Sequence, residues 1–117
     1  MAGHAAALTV APGFTATPVV TGLDSPTAAA FAPDGRLFVL EKAGAVRAWS
    51  PTTGLASAPL ATLPSCTDSE MGLLGLAFDP EFTRNGFLYL YHTLPPGGDP
   101  ARCAEGTGAG RDRKSVV

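Results

Sequence analysis

The sequence of 117 residues has eight basic and ten acidic residues, a formal net charge of −2 and a hydrophobic content of 45%. This composition indicates one globular folding unit and excludes a disordered, solvating segment. The small negative charge provides no basic stripe for phosphates, so no nucleic acid partner is expected. The longest apolar run, residues 71–78, is shorter than the roughly 18 residues that span a bilayer, so no membrane span is expected.

The N-terminal residues are not typical of a secretory signal peptide. They have no charged n-region, and the apolar stretch from Ala5 to Ala11 is short and rich in alanine. We therefore expect any export signal to precede the given sequence, and we expect residues 1–13 to be a poorly ordered N-terminal segment.

A meander of four short antiparallel strands is predicted after the turn-forming segment Gly22–Pro26. Turn residues such as Pro33-Asp34-Gly35 separate the apolar stretches at intervals of about eight to twelve residues. The contiguous apolar run of the second strand favours a strand that is covered on both faces. The predicted strands are Thr27–Ala32, Leu37–Leu40, Val46–Ser50 and Leu55–Leu63.

Part of this pattern recurs later in the chain. The residues AFAPDGRLFVLE from Ala30 are echoed by AFDPEFTRNGFLYLY from Ala77, 47 positions further on, with four residues inserted in the turn. Four-stranded antiparallel units that repeat about every 45 to 50 residues are typical of propeller blades. The sequence therefore predicts an all-β, incomplete β-propeller over residues 14–110, with blade one and the opening hairpin of blade two.

Such a chain has too few blades to close a ring, because propellers have about four to eight of them. Each blade normally buries both sheet faces against its neighbours. The strands Leu37–Leu40 and Phe87–Tyr91 are therefore expected to be half exposed, and the chain is interpreted as a fragment.

Two segments together resemble the first blade of a known family. MGLLGLAFDPEFTRNGFLYLYHT from Met71 and GLDSPTAAAFAPDGRLFVLEKAGAVRAW from Gly22 are similar to the glucose/sorbosone dehydrogenase family, the soluble sugar dehydrogenases that depend on pyrroloquinoline quinone (PQQ). The resemblance covers about Phe14 to Thr93. It implies a six-bladed β-propeller, extracellular or periplasmic, that oxidises a sugar hydroxyl by hydride transfer to PQQ beside Ca²⁺ and passes the electrons to an external acceptor.

The resemblance assigns no catalytic residue and no metal ligand to this chain. In the family a histidine takes the hydroxyl proton, and arginines and a lysine hold the quinone, but these groups come from later blades. His4 is interpreted as a tail residue and His92 as a strand-end residue on a rim. The fragment is therefore expected to be inactive and to hold neither PQQ nor Ca²⁺ by itself.

One pocket position can be carried over from the resemblance. Soluble glucose dehydrogenases place a glutamine two residues before the first glycine of GLLG, facing the cofactor and the sugar, and Glu70 occupies that position here. Glu70 is thus a candidate for the substrate and cofactor pocket, and the alternative is a loop-end acid beside Asp68. Gly72 and Gly75 are interpreted as sites where the backbone passes close to the crowded propeller axis.

Other residues have plain structural interpretations beside functional ones. Glu41 and Lys42 are interpreted as a solvated rim pair, which contributes little stability. Aromatic side chains in the strands favour blade packing over sugar stacking; these are Trp49, Tyr89 and Tyr91.

The two cysteines, Cys66 and Cys103, are an even number in a chain whose relatives are exported. A disulfide between them would tie two loops on one rim. Two free thiols remain the alternative, because their spacing matches no metal or redox motif.

The last residues, 111–117, differ from the rest of the chain, since three of the eight basic residues lie in RDRKSVV. They are similar to one reading frame of a common sequencing adapter, and an artefactual tail is predicted.

Two other functions remain open at this point. The first is a non-catalytic secreted propeller used as a binding module, as in hedgehog-interacting proteins. The second is an unrelated solenoid or secreted β domain that shares the motifs by chance. The blade-one motifs build a scaffold and do not separate an enzyme from a binder.

Overall fold

The computed structural model describes residues 8–104 and the backbone of residues 111–116. Residues 1–7, 105–110 and 117 lie outside this part of the chain, and so do the predictions that fall on them, His4 included. The described strands are β1 (Pro26–Phe31), β2 (Leu37–Glu41), β3 (Ala45–Ser50), β4 (Gly54–Leu55), β5 (Ala61–Thr62), β6 (Leu73–Phe78), β7 (Leu88–Leu94) and β8 (Arg111–Val116). The described helices are α1 (Phe82–Asn85) and two short 3-10 turns at Pro96–Gly98 and Pro100–Arg102.

The first sheet is the predicted meander with one difference. β1, β2 and β3 pair antiparallel in sequence order, with Phe38 opposite Ala30 on one side and Ala48 on the other. The predicted continuous fourth strand is wrong, because β4 pairs with the end of β3 and β5 with its start. The interruption contains Pro59, which has no backbone N–H to donate to a ladder.

The second sheet repeats this order with β6, β7 and β8, all antiparallel. Its first hairpin carries the four additional residues of the repeat as α1, a single helical turn that ends at Gly86 with φ +69°. Asp79 holds this turn, since its carboxylate accepts hydrogen bonds from the Asn85 amide at 3.0 Å and the Tyr89 hydroxyl at 2.7 Å. These two bonds lower the pKa of Asp79.

The backbone of β8 pairs with β7 from Leu94 opposite Arg111 to Tyr89 opposite Val116. The structure thus gives the second sheet a third strand, beyond the hairpin that the sequence predicts. The origin of residues 111–117 stays a prediction.

The two sheets pack face to face around one core. Three phenylalanine rings meet edge to face at its centre, with centroids of Phe38 and Phe78 5.2 Å apart and those of Phe78 and Phe82 4.9 Å apart. The other buried apolar residues of this core are Ala32, Leu40, Val46, Ala48, Leu73, Leu88 and Leu90. At one edge β1 lies beside β6, and the Thr27 hydroxyl donates to the Leu73 carbonyl at 2.6 Å.

This arrangement is that of two neighbouring propeller blades whose first strands share an inner edge. The all-β, incomplete propeller predicted from the sequence is confirmed. No described sheet closes on itself, and the radius of gyration of 16.1 Å exceeds the roughly 13 Å of a compact domain of about this length.

The outer faces of the two blades differ in exposure. Tyr89 and Tyr91 in β7 are 37% and 39% exposed, which matches the half-exposed strand expected there. The same expectation is wrong for β2, where Val39 is only 4% exposed. Arg47 lies opposite Val39, and its side chain runs along that face to Glu41 and to the Ala56 carbonyl.

Candidate functional site

Three segments meet at the rim where the inner strands begin. They are residues 22–25 before β1, the turn between β2 and β3, and the loop of residues 66–72 before β6. Lys42 joins them: its N–H donates to the Ser25 carbonyl at 3.0 Å, its ammonium donates to the Ser69 carbonyl at 2.7 Å, and its carbonyl accepts from the Leu73 N–H at 3.0 Å. One residue therefore sets the relative positions of two loops and a turn.

Glu70 lies on the third of these segments, directly after Ser69, and its side chain is exposed. Gly72 follows in the same loop with φ +153°, and a Cβ there would lie 2.8 Å from Lys42 Cγ and 2.9 Å from the Lys42 carbonyl oxygen. The backbone thus passes close to Lys42 at Gly72, and the position of Gly72 at the propeller axis stays a prediction. At Gly75 a Cβ would meet only Tyr91 Cβ, at an ordinary 3.5 Å, so the same interpretation is not supported there.

Glu41 does not form a solvated rim pair with Lys42, and that interpretation is wrong. Glu41 is 7% exposed, forms an ion pair with Arg47 at 3.4 Å, and accepts a hydrogen bond from the Asp24 N–H at 2.5 Å. Lys42 lies in the turn after β2, and its ammonium donates to the Ser69 carbonyl, so Glu41 and Lys42 have separate partners.

A shallow hollow of about 310 Å³ lies between the three rim segments. Its lining residues are Asp24, Ser25, Lys42, Ala43 and Thr67. Asp24, Ser25 and Thr67 are not among the site residues predicted from the sequence. In the sequence they are recognisable only as turn-forming residues. Their proximity is not visible there, because the first and third segments are more than 40 positions apart.

The interpretation of His92 as a strand-end residue is wrong, because β7 continues to Leu94 and the His92 side chain is buried. It is 3% exposed, and its Nδ1 lies 3.1 Å from the hydroxyl of Ser65, which is also buried. Burial lowers the pKa of His92, and a hydrogen bond with the Pro64 backbone opposes this effect.

The folded chain is expected to lose stability as the pH falls below about 6.5, the ordinary pKa of histidine. Because the pKa of His92 is lowered in the folded state, the unfolded chain binds this proton first. The free energy of unfolding therefore decreases from there down to the folded-state pKa and then levels off. Urea unfolding between about pH 5 and pH 8 measures the slope, and a His92→Gln variant with an unchanged slope would contradict the assignment.

Cys66 and Cys103 form a disulfide in the structure, with Cα atoms 5.5 Å apart. Cys66 is 1% exposed, and its N–H donates to the Thr93 carbonyl at 2.9 Å. The bridge ties the start of the Glu70 loop to the segment that follows β7.

PQQ and Ca²⁺ are the groups that the family resemblance implies for the pocket of the parent protein. No group of three or more His, Cys, Asp or Glu side chains in this part of the chain is arranged to hold a metal ion. At the rim, the ammonium of Lys42 already donates to the Ser69 carbonyl. No chemical step through either group is therefore assigned to these residues.

The family model for glucose/sorbosone dehydrogenases matches residues 23–114, which is most of the chain. The chain belongs to the glucose/sorbosone dehydrogenase family. The strands β1 to β7 and the rim with Glu70 lie inside the matched range, so this family scaffold carries every rim residue described above except Gly22.

Solved sugar dehydrogenases have the same fold over most of this family member. A glucose dehydrogenase-type oxidoreductase from Thermus thermophilus is 34% identical with a TM-score of 0.64, and the match covers 84% of this chain and 25% of that one. The aldose sugar dehydrogenase of Streptomyces coelicolor, solved with PQQ bound, is 28% identical with a TM-score of 0.56, covering 82% and 31%. The aldose sugar dehydrogenase of Escherichia coli is 26% identical with a TM-score of 0.57, covering 80% and 24%.

Curated relatives include the hedgehog-interacting proteins of mouse and human. Each is 39% identical over 83 residues, a match that covers 64% of this chain and 12% of theirs. The chain thus spans about an eighth of these relatives and 24% to 31% of the solved dehydrogenases above. Among the described residues, no helix is long and apolar enough to cross a bilayer.

Proposed function

We propose that this chain provides the first blades of a PQQ-dependent sugar dehydrogenase. The parent protein would oxidise a sugar hydroxyl, bound PQQ would supply the hydride acceptor, and an external acceptor would receive the electrons. The observation that supports this most is the family match over residues 23–114 together with the likeness to a PQQ-bound aldose sugar dehydrogenase. In this proposal PQQ and Ca²⁺ are held by other blades of the parent, and this chain alone is inactive.

The proposal gives Glu70 the role of a rim residue that faces the sugar. Its loop is fixed at both ends by backbone hydrogen bonds, from the Cys66 N–H to the Thr93 carbonyl and from the Leu73 N–H to the Lys42 carbonyl. The carboxylate is exposed and accepts hydrogen bonds from sugar hydroxyls in this proposal. A loop that is held in this way positions an acceptor without a metal ion.

The disulfide supports a location outside the cytoplasm. Disulfides persist in oxidising compartments and are rare where thiols are kept reduced. The proposed location is therefore extracellular or periplasmic, where an external electron acceptor is accessible.

Replacing Glu70 by alanine in the full-length parent is expected to raise KM for the sugar by about tenfold, since one charged hydrogen bond contributes about 1.5 to 3 kcal/mol. Glu70→Gln, which restores the glutamine of soluble glucose dehydrogenases, is expected to keep most of the activity. The measurement is dye-linked sugar oxidation after addition of PQQ and Ca²⁺.

Glu81→Gln is the matched control, because Glu81 is an exposed glutamate that pairs with Arg84 in α1, at the opposite ends of the strands. It is expected to leave KM unchanged. Full activity of the Glu70→Ala variant would show that Glu70 does not bind the sugar. A parent protein without any PQQ-dependent sugar oxidation would contradict the proposed dehydrogenase function.

The alternative is a binding propeller without redox chemistry, and the 39% identity with hedgehog-interacting proteins favours it. The downstream sequence separates the two functions. A histidine-bearing GHxxG-type segment and pocket-facing arginines and lysines would support the enzyme. Their absence from an intact reading frame, with no PQQ uptake, would support the binder.

A further inference from the structure

The hollow between the three rim segments is a feature that the proposed role of Glu70 does not use. Glu70 does not line it. From its lining and its construction we infer that the hollow is a subsite for a neutral, hydroxyl-rich ligand, one sugar unit of a saccharide.

The backbone on two sides of Lys42, which lines the hollow, is held by hydrogen bonds within the fold. Ser25 and Ser69 are the two non-glycine residues with positive φ in the described part of the chain, at +48° and +52°. Both carbonyls accept hydrogen bonds from Lys42, one from its N–H and one from its ammonium. Strained backbone of this kind persists only where the surroundings determine it, and it is concentrated at ligand sites.

The chemistry of the lining selects a neutral polar ligand. The Asp24 carboxylate and the Lys42 ammonium carry opposite charges, so the lining has no net charge that favours an anion or a cation. The carboxylate accepts from two ligand hydroxyls, and the hydroxyls of Ser25 and Thr67 donate or accept. Ala43 adds a small apolar surface, which suits the C–H face of a sugar ring.

Asp24 has capacity for such a ligand. Its N–H is bound to Glu41, which fixes the backbone, while its carboxylate accepts within the described residues only from the Ser25 hydroxyl, at a long 3.3 Å. The Thr67 side chain is exposed as well. The position of the hollow beside the Glu70 loop places a second sugar unit next to the first.

This inference rests on the proposed function for the choice of a saccharide, but its test needs no PQQ. The whole 117-residue chain, with its disulfide intact, is titrated with maltotriose, and binding is followed by ligand-observed and amide NMR. Maltotriose is expected to bind and to shift the amides of residues 24, 43 and 67. Asp24→Asn, which keeps the side-chain shape, is expected to raise Kd at least about tenfold.

The matched control is Asp34→Asn, because Asp34 is an exposed aspartate in the turn after the other end of β1. It is expected to leave Kd unchanged, and gluconate, an anionic analogue, is expected to bind at least about tenfold more weakly than maltotriose. Thr67→Val provides a second variant, with a smaller increase in Kd expected. The amide spectra verify that each variant retains the fold.

Two results would overturn the subsite: a folded chain that does not bind maltotriose, and an Asp24→Asn variant that binds it like the wild type. Tighter binding of gluconate would overturn the neutral class of ligand. If the chain binds maltotriose but its parent oxidises no sugar, the subsite is supported and the proposed dehydrogenase function is contradicted. If the parent oxidises glucose but Asp24→Asn does not change the Kd for maltotriose, only the subsite is contradicted.

Discussion

Replacing Gly44 by alanine is expected to destabilise the chain by more than about 4 kcal/mol. Few single substitutions destabilise a protein this much. Gly44 has φ +122°, and a Cβ there would lie 1.9 Å from the carbonyl oxygen of Leu63. That oxygen is backbone and cannot rotate away. Moving Leu63 would break its N–H bond to the Gly44 carbonyl, at 2.9 Å, and displace β5 from β3.

Gly54→Ala is the matched control for this prediction. Gly54 also has a positive φ, +74°, but a Cβ there meets nothing within 4 Å. Its expected loss is about 1 to 2 kcal/mol, the effect of a left-handed alanine alone. Urea unfolding followed by Trp49 fluorescence measures both variants, and equal losses would show that the contact with Leu63 does not matter.

The repeat in the sequence predicts the second hairpin but not the structure of its insertion. The four additional residues become the single turn α1 because Asp79 binds Asn85 and Tyr89. A helix of one turn has no hydrophobic periodicity of its own, since it is shorter than the pattern that would reveal it. The turn α1 depends on the contact between Asp79 and Tyr89, which is ten positions further along the chain.

Local pattern and blade counting make opposite predictions for β2, and the local pattern is correct. The contiguous run through Phe38, Val39 and Leu40 predicts two covered faces, whereas counting blades predicts one exposed face. Val39 is buried because Arg47 spans that face to reach Glu41. A single blade thus covers part of its own outer face with a long polar side chain.

The rim site is less accessible to sequence reasoning than the fold. Glu70 is identified only by its place in a family motif. The partners that hold its loop depend on docking of the two blades, which brings Ser25 and Ser69 to the same lysine. No spacing in the sequence predicts that contact. The sequence predicts only an ordinary charged pair between Lys42 and Glu41.

Removing the disulfide with the double variant Cys66→Ala and Cys103→Ala is expected to destabilise the chain by about 3 to 4 kcal/mol, if the effect is mainly loop entropy in the unfolded state. The closed loop spans 37 positions. Alanine is preferred to serine because Cys66 is buried and a hydroxyl there would lack the water it prefers. Reduction of the wild type is expected to give the same loss and to leave the double variant unchanged.

The location of the bridge allows a sharper test of how it acts. Two amides report on the native loop: the N–H of Gly72 donates to the Thr93 hydroxyl, and the N–H of Leu73 donates to the Lys42 carbonyl. In the loop-entropy mechanism the native loop keeps these bonds. Both amides then stay protected from hydrogen exchange until the whole chain unfolds. If the bridge instead holds the native loop in place, these two amides exchange early while those of β2 do not. Hydrogen exchange of the double variant separates the two mechanisms. We expect the first, since Cys66 retains its own backbone bond to Thr93 without the sulfur.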